Sequence, residues 1–135
     1  MTLEQLLDSL KNDPSFMENV TAWRTIDKRE ASYAPFPASL DPRLLPALEK
    51  HHVHQLYTHQ ADAFQAISEG KDVVIVTPTA SGKTLCYNLP VLNEILHNPD
   101  ARSLYLFPTK ALSADQVSEL YELIELMGVD IKTYT

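Results

Sequence analysis

The sequence predicts an α/β fold in which the strands of a parallel sheet alternate with helices. Three apolar runs have the length and the β-branched or aromatic content of buried strands, at residues 72–77, 103–107 and 131–135. Helical patterns of apolar residues fill the two intervals between them. Strands that alternate with helices form a parallel sheet covered on both faces, and ligands bind at the carboxyl ends of its strands.

Composition and charge narrow the functional classes. The chain has 135 residues, enough for one domain, and 44% of them are apolar, as in an ordinary globular protein. The net charge is −7, whereas a dedicated nucleic-acid-binding domain is usually basic, so nucleic-acid contacts would need backbone N–H groups and a few lysines. No apolar run reaches membrane-spanning length, and the first residues lack a signal-peptide pattern, which predicts a cytoplasmic protein without a membrane partner.

Residues 1–54 are predicted to form a helical and extended arm in front of a domain at 55–135. A helix begins at Thr2, where Gln5 stands in the position that completes a capping box. Residues 14–39 show no sustained period, and the prolines near the end of this stretch favour an extended chain.

Four further helices are predicted from their caps and apolar faces. They lie at about 41–51, at 59–69, from the loop at 77–84 to about 97, and at 111–127. Asp41 and Thr58 are the expected N-caps of the first two, and Pro46 is expected to disturb the first turn of the helix it lies in. Gly70 and Gly128 follow helix ends, where a left-handed residue is favoured.

The most specific motif joins the first predicted strand to the helix after it. It reads Thr77-Pro78-Thr79-Ala80-Ser81-Gly82-Lys83-Thr84 and ends in the Gly-Lys-Thr of phosphate-binding loops. Backbone N–H groups of such a loop wrap a polyphosphate, Lys83 places a positive charge on the β- and γ-phosphates, and the Thr84 hydroxyl can hold Mg²⁺. We therefore expect all eight residues to bind a nucleotide, most simply ATP with Mg²⁺.

Gln60, at the start of a predicted helix upstream of this loop, is the second candidate. Its carboxamide offers a paired donor and acceptor, which match the N6 and N7 edge of adenine and do not match guanine. A glutamine at a helix start is usually only solvated, and its distance from the phosphate loop is what favours adenine recognition.

Pro108, Thr109, Lys110 and Ala111 form the third candidate, where the second predicted strand meets the long helix. A helix N-terminus with a threonine and a lysine is a favourable site for an anion, here a nucleic-acid phosphate. Taken alone, the same residues would be a plain turn between a strand and a helix.

Other residues with reactive side chains are interpreted as structural. His51, His52, His54 and His59 have no cysteine or carboxylate partners at zinc-ligand spacing, so we interpret them as a solvated linker. Cys86, the single cysteine, cannot form an internal disulfide and is expected to be buried under the loop.

These three signals, in this order, resemble superfamily 2 helicases of the DExH type. Gln60 matches their Q motif, residues 77–84 match motif I, and residues 108–112 match motif Ia. The resemblance is closer still to the mitomycin repair factor A group, bacterial helicases with a cysteine-rich C-terminal domain. The resemblance implies an incomplete RecA-like P-loop domain over 55–135, a monomer, and ATP-driven 3′-to-5′ translocation on single-stranded or partly unwound DNA in DNA repair.

Phosphoryl transfer to water also needs a carboxylate that holds Mg²⁺ and a group that orients the water. In the family these come from an Asp-Glu-x-His motif, and this chain has no Asp-Glu dipeptide. We therefore expect an N-terminal fragment, cut before that motif and inactive as an ATPase, with no catalytic residue of its own. The alternatives are a non-catalytic nucleotide-binding module and another P-loop enzyme such as a kinase, which would need lid arginines that are absent after the second strand.

Overall fold

The computed structural model describes residues 1–27, 30–78 and 81–133. The chain divides into two compact units, Met1–Glu30 and Ala31–Thr135, which are described separately. No helix in the described ranges is both long enough and apolar enough to cross a membrane.

The first unit contains helices α1 (Leu3–Lys11) and α2 (Pro14–Met17). The predicted capping box is present at the start of α1. Thr2 Oγ1 accepts from the Gln5 N–H at 3.3 Å, and Gln5 Oε1 accepts from the Thr2 N–H at 2.9 Å. The pattern did not predict α2, a single turn that Asp13 caps by accepting the Ser15 N–H at 2.9 Å.

The second unit opens with a two-stranded antiparallel sheet. Strand β1 (Tyr33–Ala34) pairs with β2 (Leu56–Tyr57), in a register that sets Tyr33 opposite Tyr57 and Ala34 opposite Leu56. The sequence predicted an extended arm at β1 but no partner for it. Leu56 is fully buried, so this pairing holds Tyr33 and Ala34 against the core of the second unit.

Between these strands, a 3-10 turn (Pro42–Leu44) runs into helix α3 (Leu45–Lys50). Asp41 is the N-cap, as predicted, and its carboxylate accepts the Arg43 N–H at 2.9 Å. The 3-10 start agrees with the disturbed first turn expected from Pro46, whose ring and missing N–H disfavour a regular α-helical turn before it.

Three longer helices follow: α4 (Thr58–Ser68), α5 (Lys83–His97) and α6 (Lys110–Met127). The predicted ends are confirmed, because Gly70 adopts a φ of 77° one residue after the C-cap of α4, and Gly128 adopts a φ of 65° as the C-cap of α6. Helix α4 begins one residue earlier than expected, so Thr58 is its first residue and not its N-cap. Pro90 lies inside α5 and is buried.

One hydrophobic core joins these elements. Its members come from α3 to α6, β2, the 3-10 turn and Leu40 just before that turn, and its largest fully buried side chains are Leu44, Leu48, Leu56, Phe64, Leu89 and Leu92. The helices α3, α4 and α5 contribute Ala47, Leu48, Phe64, Leu89 and Leu92 to this core. Helix α5, which follows the phosphate loop, is therefore anchored along its length.

The predicted parallel sheet is the main difference from expectation. Among the described residues the sheet β1–β2 is the only one, and segments 72–77, 103–107 and 131–133 pair with no strand. Their burial nevertheless alternates, since Val74 and Val76 are 89% exposed while Val73 and Ile75 are half-buried. The sequence predicted buried strands covered on both faces, and this is wrong for one face of each segment. A run of apolar residues does not specify the neighbouring strand or the covering element that would bury its second face. Residues 134 and 135 lie outside the described residues.

Candidate nucleotide-binding site

The loop at 77–84 leads directly into the first turn of α5. The structure describes Thr77, Pro78 and all four residues from Ser81 to Thr84. Thr79 and Ala80, which the sequence assigns to the same site, lie outside the described residues. Thr84 is half-buried at the second position of α5.

Gly82 is the N-cap of α5 and has the left-handed backbone angles φ 71° and ψ 31°. A Cβ at this position would lie 2.6 Å from Gln60 Nε2, so a larger residue would have to displace the Gln60 carboxamide and would also strain the backbone. The first N–H groups of a helix have no intrahelical acceptor and carry a partial positive charge. A left-handed residue just before them creates a concave set of N–H groups suited to an anion.

The side chain of Lys83 folds back into its own loop. Its Nζ donates to the Pro78 carbonyl at 2.7 Å and the Thr77 carbonyl at 3.0 Å, and lies 3.3 Å from Ser81 Oγ. The hydroxyls of Thr77 and Ser81 are themselves 2.6 Å apart. An ammonium held by neutral oxygens gains from exchange for charged phosphate oxygens, so these residues fit a nucleotide phosphate.

Gln60 braces the loop from the first turn of α4. Its Oε1 accepts from the Tyr57 N–H at 2.9 Å, and its Nε2 donates to the Gly82 carbonyl at 2.8 Å. The residue is 2% exposed. A carboxamide keeps one further N–H and one further lone pair, so adenine recognition would have to use these or displace a bond already formed.

His59 makes a second brace beside Gln60. Its Nε2 lies 2.9 Å from the Ser81 carbonyl, and its ring stacks on Tyr57 with centroids 5.6 Å apart. Tyr57 in turn stacks on Tyr33 at 5.1 Å. The prediction that His59 belongs to a solvated linker is therefore wrong, because grouping it with other histidines hid its place one residue before Gln60. His52 and His54 are exposed, and His51 approaches Glu122 at 4.0 Å.

The third predicted site, at 108–111, forms the start of α6. Thr109 is the N-cap, and its Oγ1 accepts the Leu112 N–H at 3.2 Å. All four residues, Pro108, Thr109, Lys110 and Ala111, are exposed. No hydrogen bond among the described residues joins this turn to the loop at 77–84. Helices α5 and α6 are linked further along, where the Tyr87 hydroxyl of α5 donates to Gln116 Oε1 of α6.

The inner face of α5 below the loop is closed. Cys86 is fully buried, as predicted, and desolvation raises the pKa of its thiol although Lys83 acts in the opposite direction. The Tyr105 hydroxyl donates to Asn88 Oδ1 at 3.0 Å, and burial raises the pKa of Tyr105 to about 12. A cavity of about 850 Å³ between α5 and α6 contains none of the loop residues, so the candidate site rests on the loop geometry and not on this cavity.

The opposite end of α5 is held by Asp41 and Arg43. Asp41 is 7% exposed, accepts from Arg43 Nε at 2.9 Å and Nη2 at 2.7 Å, and donates its N–H to Asn93 Oδ1 at 2.7 Å. Arg43 Nη2 also donates to the Leu96 carbonyl at 2.9 Å. The hydrogen bonds from Arg43 hold the pKa of Asp41 well below its usual range. Sequence reasoning found the cap at Asp41 but not this clamp.

Comparison with known proteins places these features in context. The family described as DEAD/DEAH box helicase matches residues 57–135. The uncharacterized ATP-dependent helicase YprA of Bacillus subtilis is 53% identical over 99% of this chain, and the ATP-dependent helicase HRQ1 of Saccharomyces cerevisiae is 33% identical over 98%.

A solved structure gives the same result. The DUF1998 helicase MrfA, crystallised with DNA and AMPPNP, superposes with a TM-score of 0.88, is 51% identical and covers 99% of this chain. The chain spans only 17% of the length of YprA, 12% of HRQ1 and 18% of the MrfA chain.

Proposed function

Because this chain belongs to the DEAD/DEAH box helicase family, we propose that it is the N-terminal portion of an ATP-dependent DNA helicase. Residues 55–135 would form the first part of the RecA-like ATP-binding domain, and residues 1–54 the arm in front of it. The alternating burial of segments 72–77 and 103–107 supports their role as strands of that domain's sheet.

One observation carries the proposal of ATP binding. Lys83 Nζ lies inside the loop against the Pro78 and Thr77 carbonyls, directly beside the left-handed Gly82 that opens α5. A positive charge, a helix N-terminus and a glycine-dependent turn thus meet at one point, as phosphate binding requires. Lys83 exchanges these carbonyls for phosphate oxygens when the nucleotide binds.

The remaining residues orient the nucleotide. The Thr84 hydroxyl at the second position of α5 would hold Mg²⁺ together with the phosphates. Gln60 would recognise adenine through its spare N–H and lone pair while it braces Gly82. Bound ATP supplies the free energy that drives a helicase along its nucleic acid.

The partner would be single-stranded or partly unwound DNA. MrfA, which is 51% identical, was crystallised with DNA, and this supports DNA over RNA. The chain has a net charge of −7, so the contact would be local, through Thr109, Lys110 and the N–H groups at the start of α6. We further propose that the protein is a cytoplasmic monomer and that the 135-residue chain alone hydrolyses ATP negligibly.

Calorimetric titration of the chain with ATP and Mg²⁺ tests the proposal. Lys83→Ala should weaken binding by at least tenfold, since a charge-assisted bond contributes about 1.5–3 kcal/mol. Lys50→Ala, which removes an exposed lysine at the end of α3, should leave it unchanged. Equal affinities for all three proteins would remove the loop from the site. An ATPase rate in the wild-type chain well above that of Lys83→Ala would contradict its inactivity.

A further inference from the structure

We propose that His59 is a positioning residue for phosphate binding, because it fixes the peptide plane that carries the Gly82 N–H. The inference rests on the proposed function, and it adds a residue that touches the loop and not the nucleotide. Two consecutive side chains of α4, His59 and Gln60, hold two consecutive carbonyls of the loop, those of Ser81 and Gly82.

The hydrogen bond from His59 has a defined direction. A carbonyl oxygen only accepts, so His59 Nε2 carries the hydrogen in its 2.9 Å contact with the Ser81 carbonyl. The ring is half-buried and lies nearly parallel to Tyr57, with 10° between the two planes. Tyr57 is held opposite Tyr33 by the β1–β2 register and stacks on it. The imidazole is therefore held in place before any ligand arrives.

Peptide geometry converts this contact into an orientation of the loop donors. The described backbone contains no cis peptide, and in a planar trans peptide the C=O and the following N–H point in opposite directions. With the Ser81 carbonyl held towards His59, the Gly82 N–H points away from α4. In the same way, Gln60 holds the Gly82 carbonyl and so directs the Lys83 N–H. These two N–H groups belong to the concave turn that fits an anion.

The proposed role of His59 predicts which ligand interactions depend on it. If His59 acts only by orienting the Gly82 N–H, its loss weakens interactions with phosphate and leaves interactions with the base unchanged. A merely structural role would lower the affinity for all ligands in parallel with the loss of folding.

The test uses His59→Phe, which keeps a stacking ring and removes the donor, and His59→Gln, whose amide N–H restores one. His54→Phe, at an exposed histidine of the preceding segment, is the matched control. Each chain is titrated with ADP and with adenosine. For His59→Phe we expect the ADP affinity to fall by about three- to tenfold, the size of one neutral hydrogen bond. Adenosine affinity should not change, and His59→Gln should recover part of the loss.

An NMR readout accompanies the titrations. In the wild-type chain the ring nitrogen Nε2 of His59 should show the signature of a protonated nitrogen. ADP should shift the Gly82 amide signal, and that shift should be smaller in His59→Phe. If His59→Phe does not fold, His59→Gln and the wild-type ring signal still decide the question, since an Nε2 without hydrogen overturns the inference.

The outcomes separate the two claims. Unchanged ADP affinity in His59→Phe, or equal losses for ADP and adenosine, overturns the role of His59 while ATP binding stands. A wild-type chain that binds ADP no better than Lys83→Ala overturns the proposed function, and the role of His59 with it.

Discussion

Gln60 Nε2 donates to the Gly82 carbonyl at 2.8 Å, and the same nitrogen occupies the space where a Cβ on Gly82 would lie, 2.6 Å away. The brace and the glycine therefore depend on each other. Gln60, which is predicted to recognise adenine, therefore also disfavours a larger residue at Gly82.

Gly82→Ala should show both effects. A left-handed conformation costs a non-glycine residue about 1–2 kcal/mol, and here the new methyl group must also displace the Gln60 carboxamide. Gly70→Ala is the matched control, because Gly70 has φ 77° and nothing within 4 Å of its Cβ position. In urea unfolding, the free energy of unfolding should fall more for Gly82→Ala than for Gly70→Ala. Only Gly82→Ala should also bind ATP more weakly. Equal losses in stability would mean that the contact with Gln60 is unimportant.

Asp41→Asn should destabilise the chain in a pH-dependent way. Asparagine can still accept the Arg43 N–H, but the charge that the guanidinium binds is lost. The pKa of Asp41 is lowered in the folded state, so its contribution is present above the unfolded value of about 3.9 and is lost as the pH falls below it. His97 Nε2, 3.9 Å away, is the other basic group facing it.

The melting temperature of Asp41→Asn should therefore lie below that of the wild type at neutral pH. The gap should stay constant down to about pH 4.5 and narrow in more acidic buffer. Asp62→Asn, at an exposed position of α4, should show no such gap. A gap that widens on acidification would contradict the assigned charge state.

Cys86 should be unreactive in the folded chain. It is fully buried, and desolvation raises the pKa of its thiol, which lowers the amount of reactive thiolate. At neutral pH, iodoacetamide should alkylate Cys86 only in molecules that are locally or globally unfolded. Alkylation should become fast in denaturing urea. Rapid labelling of the native chain would show that the region beneath the loop is open.

Lys110→Ala should weaken the binding of all nucleic-acid sequences to a similar extent. The side chain is exposed at the first position of α6, where it would meet a phosphate. Removing one such contact should lower the slope of log affinity against log salt by about 0.7 for a single strand. Fluorescence anisotropy with a labelled oligonucleotide measures it, with Lys50→Ala as the control. An unchanged slope would place the DNA elsewhere.

Local chemistry explains which parts of the fold could be predicted. The cap at Thr2, the glycines after α4 and α6, and the proline-disturbed start of α3 depend on neighbours in sequence, and all four were predicted. The pairing of Tyr33 with Tyr57 joins residues 24 positions apart through two-residue strands, which are too short to have a period.

In the candidate site, too, residues of a contiguous motif were predicted and residues with distant partners were missed. The phosphate loop is a contiguous motif, so Lys83 and Gly82 were identified from their order alone, and the structure gives them a geometry that fits an anion. His59 was missed because its partner, the Ser81 carbonyl, is a backbone atom with no mark in the sequence. The clamp of Arg43 on the Leu96 carbonyl was missed for the same reason.

Helix α5 is a rod about 22 Å long, given its 15 residues, and it is fastened at both ends. His59 and Gln60 hold the loop at one end, while Asp41 and Arg43 hold the other. Pro90 lies near the middle of α5 and lacks an N–H, so the helix has one hydrogen bond fewer there. The helix should therefore bend most easily at this residue. We therefore expect a displacement of the loop to bend the helix at Pro90 before it moves the segment at Asp41.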